Sequence, residues 1–281
     1  MNKKISPLRL FVIATLGMSL CSMIPIGLSY ATAYDNHIGY FSTGTPLPTV
    51  ALLLPLFFVF GAVGINLWLL RTQKDAFCLT DPLWFRIISA VVGIALLAVT
   101  VTDLLAAAPL LTVLVGAIGG IHFLLRAFKC PSLSLTLTGI AVIARLAIAI
   151  GPIYFNWEIP MNAPVKILLQ LGIVAAMYFL LQDLKISLSP SRSFITLFSI
   201  GLGSLLTGIA SLPTLIAYFR GDLGEIDVLS TSLLLLFLWV YCTCRIPTLA
   251  VSPDVASPAD ADLPPEDEST TPSEDNTTDP S

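Results

Sequence analysis

Arg145 is the residue of this chain whose type and place most demand a chemical explanation. It stands about 13 residues into an apolar run that spans 132–154, with Ala144, Leu146 and Ala147 beside it. A guanidinium presents a planar fork of donors that matches a carboxylate or phosphate through two parallel hydrogen bonds. At the centre of an apolar helix, an arginine costs roughly 2.5–3.5 kcal/mol on insertion scales. Arg145 must therefore face the interior of a helix bundle or a wet cavity, and it needs a partner. Asp103, near the end of the run 83–105, and Glu158, just beyond residue 154, are the acids within reach. One use of such an arginine is to bind an anion or a carboxylate inside the bundle. Another is to lock helices together through an ion pair or a contact with a backbone carbonyl. A third is to snorkel to the nearer interface.

Three further polar residues fall in apolar runs. His122 lies one turn before Arg126; it could relay a proton, or bond a neighbouring hydroxyl or carbonyl as a structural group. Gln170 and Asn66 suit interhelical hydrogen bonds, with contact to a solute as the second use. The substrate-contacting set read from the sequence is therefore Arg145, Asp103, Gln170 and His122.

Several chemistries lack their residues. HExxH, a phosphate-binding GxxxxGK[ST] loop and GxSxG do not occur, and there is no clustered pair of acids of the intramembrane-protease kind. Cys242-x-Cys244 alone is no metal site. No enzyme activity, metal or cofactor is expected, and with no basic patch no nucleic acid is expected as a partner.

The elements that must position these residues are set by composition. Of 281 residues, 56% are hydrophobic and 11% charged, and the mean hydropathy is +0.87. A soluble domain carries roughly 25% charged residues, so a water-facing surface of ordinary polarity is excluded. The expected fold is all-α: a polytopic membrane bundle of about eight helices in four hairpins, spanning residues 1–247. Its helices are placed at 10–30, 49–70, 83–105, 109–125, 132–154, 163–181, 194–218 and 228–244. The first run competes with a signal peptide, because Ala31-Thr32-Ala33 resembles a cleavage site. It is nevertheless longer than the usual apolar core of about 7–15 residues, which favours an uncleaved helix.

A frame of an aromatic residue followed by a base at the seventh position recurs at Trp68–Lys74, Phe123–Lys129, Phe179–Lys185 and Trp239–Arg245. It reads as a ring at headgroup level with a base reaching the phosphates, and it is compatible with duplication of a hairpin. Small residues at four-residue spacing, Gly116/Gly120, Ser89/Gly93 and Ser199/Gly203/Thr207, allow close helix approach within the chain. No residue pattern specifies an oligomeric state.

All 14 bases precede residue 248, whereas half of the 18 acids follow residue 247. The segment 248–281 is rich in Pro, Ser, Thr, Asp and Glu and is expected to be a disordered acidic tail. A tail of this kind could dock a basic cytoplasmic protein. With the amino terminus inside, 11 of the 14 bases lie in cytoplasmic loops. That asymmetry sets both termini in the cytoplasm of a cell-membrane protein lying in the lipid bilayer. The function expected is that of a small-solute permease using Arg145 with Asp103. The alternative is a non-transporting scaffold or sensor that holds partners through its tail and the loop 31–48. A lipid-modifying enzyme would need a convergent cluster of acids and histidines, and none occurs. Protease-cleavable tags fused before Met1 and after Ser281 should be cut in inside-out vesicles and survive in right-side-out ones. Digestion from the outer side overturns the orientation.

Overall fold

The computed structural model describes residues 6–35, 39–42, 44, 46–72, 77–130, 132–157, 159–189, 193–221 and 226–251. Glu158, and the acidic chain from residue 252 onward, lie outside the described residues. Within them, eight helices are long and apolar enough to cross a membrane. They are α1 (Pro7–Ala33), α2 (Leu47–Thr72), α3 (Leu83–Leu105), α4 (Leu110–Ala127), α5 (Ser132–Phe155), α6 (Pro164–Leu188), α7 (Phe194–Phe219) and α8 (Ile226–Arg245). The shortest has 18 residues and the longest 27. At 1.5 Å per residue the shortest is about 27 Å long, close to the thickness of a hydrocarbon core. The chain is a multi-pass membrane protein.

Successive helices pair as α1/α2, α3/α4, α5/α6 and α7/α8, as the hairpin reading requires, but the bundle is knitted across the hairpins as well. Helix α7 packs on α1, α2, α6 and α8, and α8 packs on α3. Helix α7 can be central because glycines on its faces admit close neighbours. Gly203 lies so close to Phe179 that a Cβ built on it would sit 2.7 Å from the Phe179 Cβ. Gly93 and Gly120 bring α3 against α4, with the Gly120 carbonyl oxygen 2.9 Å from where a Gly93 Cβ would stand. The small-residue stripes thus serve packing within one chain.

The end of the bundle carrying residue 7 and residue 245 is here called the terminal face, and the opposite end the far face. On the far face, β1 (Tyr34–Asp35) and β2 (Tyr40–Phe41) form a short antiparallel pair. On the terminal face, β3 (Phe77–Leu79) pairs with β4 (Leu249–Val251), with Cys78 opposite Ala250. Regular structure therefore continues four residues past the boundary expected at 247, because the last strand finds a partner in the α2–α3 connection.

Two further expectations are corrected. Helix α6 runs to Leu188 instead of ending at 181, since its polar residues are satisfied inside the bundle: Gln182 accepts a hydrogen bond from Thr196 at 3.1 Å. The recurring aromatics do not all lie on the bundle surface either. Trp68 is exposed, but Phe123 and Phe179 are fully buried and pack edge-on against Tyr241, with ring centroids 4.8 and 6.1 Å away. Of the bases that end the frame, Lys129 and Lys185 are exposed and Arg245 is buried.

Polar side chains within the helices are mostly satisfied by the carbonyl one turn back, as for Thr15 on Phe11, Thr207 on Gly203 and Thr214 on Ala210. A small knot crosses helices: Ser19 donates to the Ser204 carbonyl at 3.0 Å and accepts from the Trp239 indole at 3.1 Å. This fits a medium in which an unsatisfied polar group has no water to turn to. Gly172 on α6 faces Ala210 of α7 with no room for a Cβ, whereas Gly64 on α2 has nothing within 4 Å. Gly172→Ala should therefore destabilise the protein by about 1–3 kcal/mol, seen as a lower unfolding midpoint in detergent, while Gly64→Ala leaves the midpoint unchanged.

Candidate functional site

Helix α3 carries Asp103 two residues before its end, α5 carries Arg145 at mid-length, and α8 carries Ser230 in its second turn. The antiparallel order of the helices brings these positions to one level in the far half of the bundle. Nη2 of Arg145 donates to Oδ2 of Asp103 at 2.7 Å and to the Ser230 hydroxyl at 3.3 Å. Ser230 in turn donates to Oδ1 of Asp103 at 2.5 Å, closing a triangle. Arg145 is 6% exposed and Asp103 4%. Of the partners expected for Arg145, Asp103 is in contact, and Glu158 lies outside the described residues.

The triangle borders a cleft of about 370 Å³ at the far end of α3, α5 and α8, beside the α3–α4 turn. Polar lining comes from Asp103, Arg145, Thr112, Ser230 and Thr231. The remaining wall is apolar: Ala108, Pro109 and Leu111 on one side, Ile148, Ala149 and Pro152 on the other. Toward the terminal face, Leu96, Val142 and Leu234 close in until a void of only about 10 Å³ remains. The space is therefore one-sided. An apolar cavity of this size with a few convergent polar groups matches the general form of small-molecule sites, which run from roughly 300 to 1,000 Å³.

The other residues expected to contact a solute lie elsewhere. His122 is buried on α4, ten residues from Thr112 and hence about 15 Å along the helix axis. Its Nδ1 lies 3.1 Å from the Thr138 hydroxyl, joining α4 to α5 in the structural role considered for it. Gln170 is half-buried on α6 and does not line the cleft. Asn66 was expected to bond across helices; its amide instead donates to the Ala62 carbonyl of its own helix at 2.7 Å, and its buried Oδ1 has no partner among the described residues.

A second charged assembly, not expected from the sequence, closes the terminal face. Asp183 of α6, 1% exposed, accepts from Arg126 of α4 at 2.6 Å, from the Tyr241 hydroxyl of α8 at 2.9 Å and from Nε of Arg245 at 2.9 Å. Arg245 also donates to Asp81 at 2.5 Å and to the Thr80 carbonyl at 3.0 Å, and its guanidinium lies 4.5 Å from the Phe85 ring centroid. Arg126 reaches Ser187 at 2.9 Å and stands 3.8 Å from Asp81. Two arginines and two aspartates give a net charge of zero. They tie together α4, α6, α8 and the segment between β3 and α3.

A helix ending at 181 leaves Asp183 in a solvated loop, which is why the sequence reading contains no such assembly. A signal was present in the chain: Phe179, Leu180, Leu184 and Ile186 keep the helical period running past the charge, and all four are buried.

No family profile, curated protein or solved structure matches this chain.

Removing one partner from a buried ion pair leaves an uncompensated charge and costs about 3–5 kcal/mol. Asp183→Asn should lower stability by about that amount, measured by unfolding in detergent micelles. Asp81 is 32% exposed but faces the buried Arg245, so Asp81→Asn should also destabilise the protein, by less than Asp183→Asn because water can reach that edge of the assembly.

Proposed function

We propose that this multi-pass membrane protein is a small-solute permease, without enzyme activity, in which Arg145 and Asp103 receive the solute. The observation that carries this reading is the position of the ion pair. It lies at the inner edge of a cleft that opens on one side only, with the bundle filled beneath it. A charge pair needed only to hold helices together gains nothing from an adjoining cavity of about 370 Å³. The Arg126–Arg245–Asp183–Asp81 assembly then acts as the closure at the opposite end, and the arrangement is that of a carrier open on one side. The gathering of bases near the terminal face supports a cell-membrane orientation with both termini cytoplasmic and the cleft facing outward.

The second reading is a membrane scaffold or sensor with a tail that docks a cytoplasmic partner. It is favoured by the engagement of Arg145 with both Asp103 and Ser230, which is what a purely structural pair would show.

Flux separates the two. Purified protein in proteoliposomes should carry at least one class from a radiolabelled panel of amino acids, monocarboxylates and amines faster than protein-free vesicles. The double variant Arg145→Leu, Asp103→Leu leaves no unpaired charge and should fold, yet slow that flux about tenfold or more, the loss of at least one good hydrogen-bonded contact. A panel that crosses no faster with protein than without, or a double variant as active as the unmodified chain, overturns the permease reading.

A further inference from the structure

The chemistry of the cleft restricts its occupant further, given the reading of that cleft as a solute site. We infer that the occupant is a small zwitterion, a molecule with one carboxylate, one ammonium and an apolar remainder.

The argument is one of charge balance. Arg145 and Asp103 neutralise each other at 2.7 Å in a region that is almost fully buried. A solute bearing only an anionic group can engage Arg145, but it then stands beside the Asp103 carboxylate and brings the site to a net charge of −1. A solute bearing only a cation engages Asp103 and leaves the guanidinium facing it. In low dielectric each arrangement is penalised by both repulsion and desolvation. A zwitterion inserts with no change in net charge, its carboxylate on the guanidinium and its ammonium on the aspartate. One internal ion pair is exchanged for two external ones.

Donor and acceptor geometry agrees with this. Both hydrogen bonds of Arg145 leave from Nη2, so the rest of the fork makes no protein hydrogen bond among the described residues and can receive a carboxylate. Ser230 bridges both charged groups, which lets it rotate from one to the other as the pair opens. Thr112 and Thr231 add hydroxyls at the wall. Ala108, Ile148, Ala149 and Pro152 offer only carbon, which suits a solute with an uncharged, apolar remainder. The filled layer of Leu96, Val142 and Leu234 limits its length.

Three compounds sharing an isobutyl group test the inference: leucine, 4-methylpentanoate, which lacks the ammonium, and 3-methylbutylamine, which lacks the carboxylate. Thermal unfolding of the full chain in detergent is followed with each at equal concentration. Leucine should raise the midpoint on the order of 5 °C near saturation, and the single-charge analogues should leave it unchanged. The double variant Arg145→Leu, Asp103→Leu should unfold cooperatively and lose the leucine shift. A midpoint raised equally by 4-methylpentanoate or by the amine overturns the zwitterion assignment while leaving a solute site in place. Absence of a leucine shift, or a shift that survives in the double variant, also overturns it. The permease reading falls separately, only if the flux assay finds no protein-dependent movement of any solute class.

Discussion

The constraint on which this structure depends is that charge inside lipid must be met by groups of the same bundle, an opposite charge where the charge is deep and backbone carbonyls for Lys166 near a helix end. Water is not there to solvate an arginine, and a lone guanidinium at mid-span is costly. Arg145 is matched by Asp103, and Arg126 with Arg245 by Asp183 and Asp81. Each group is electrically neutral, and each joins helices that are not neighbours in sequence. Many hydroxyl side chains turn back to the carbonyl of their own helix, as Thr15, Thr207 and Thr214 do, whereas the buried hydroxyls of Ser89 and Tyr30 have no partner among the described residues.

The two charged groups differ in what surrounds them. At the terminal face, Asp183 takes three donors from two helices, aromatic rings cover the guanidiniums, and the β3–β4 pair ties residues 249–251 to the α2–α3 connection. At the far face, Asp103 and Arg145 share a single serine and border empty space. Rearranging the first would disturb α4, α6 and α8 together. Rearranging the second involves only Asp103, Arg145 and the Ser230 that bonds both.

The packing of the central helices supplies the rigidity this asymmetry needs. Glycine and serine faces on α7 let α6 and α8 approach closely, and dispersion contacts in such a core replace the hydrophobic drive that is absent between helices in lipid. Helix α2, with exposed Leu53, Phe57 and Phe60 along its length, presents the broadest apolar face. The cleft is framed by α3, α4, α5 and α8, and none of its lining residues belongs to α2.

Eight helices, their order and most of their limits were legible in the chain, because apolar length is a local property and a bilayer demands it of each segment separately. Arg145 was legible too, as a charge with no local excuse, and so was the short choice of acids that could meet it. Asp183 was not, since a charge at the end of an apolar run looks the same whether the helix stops there or goes on. Sequence alone determined which segments enter the lipid and which residues there require a partner. Only the tertiary structure decided who the partners are, because they lie 42, 57 and 62 residues apart and meet through the crossing of helices. It also decided that one ion pair is walled in while the other adjoins a cavity, since the volume left between packed side chains belongs to no single stretch of chain.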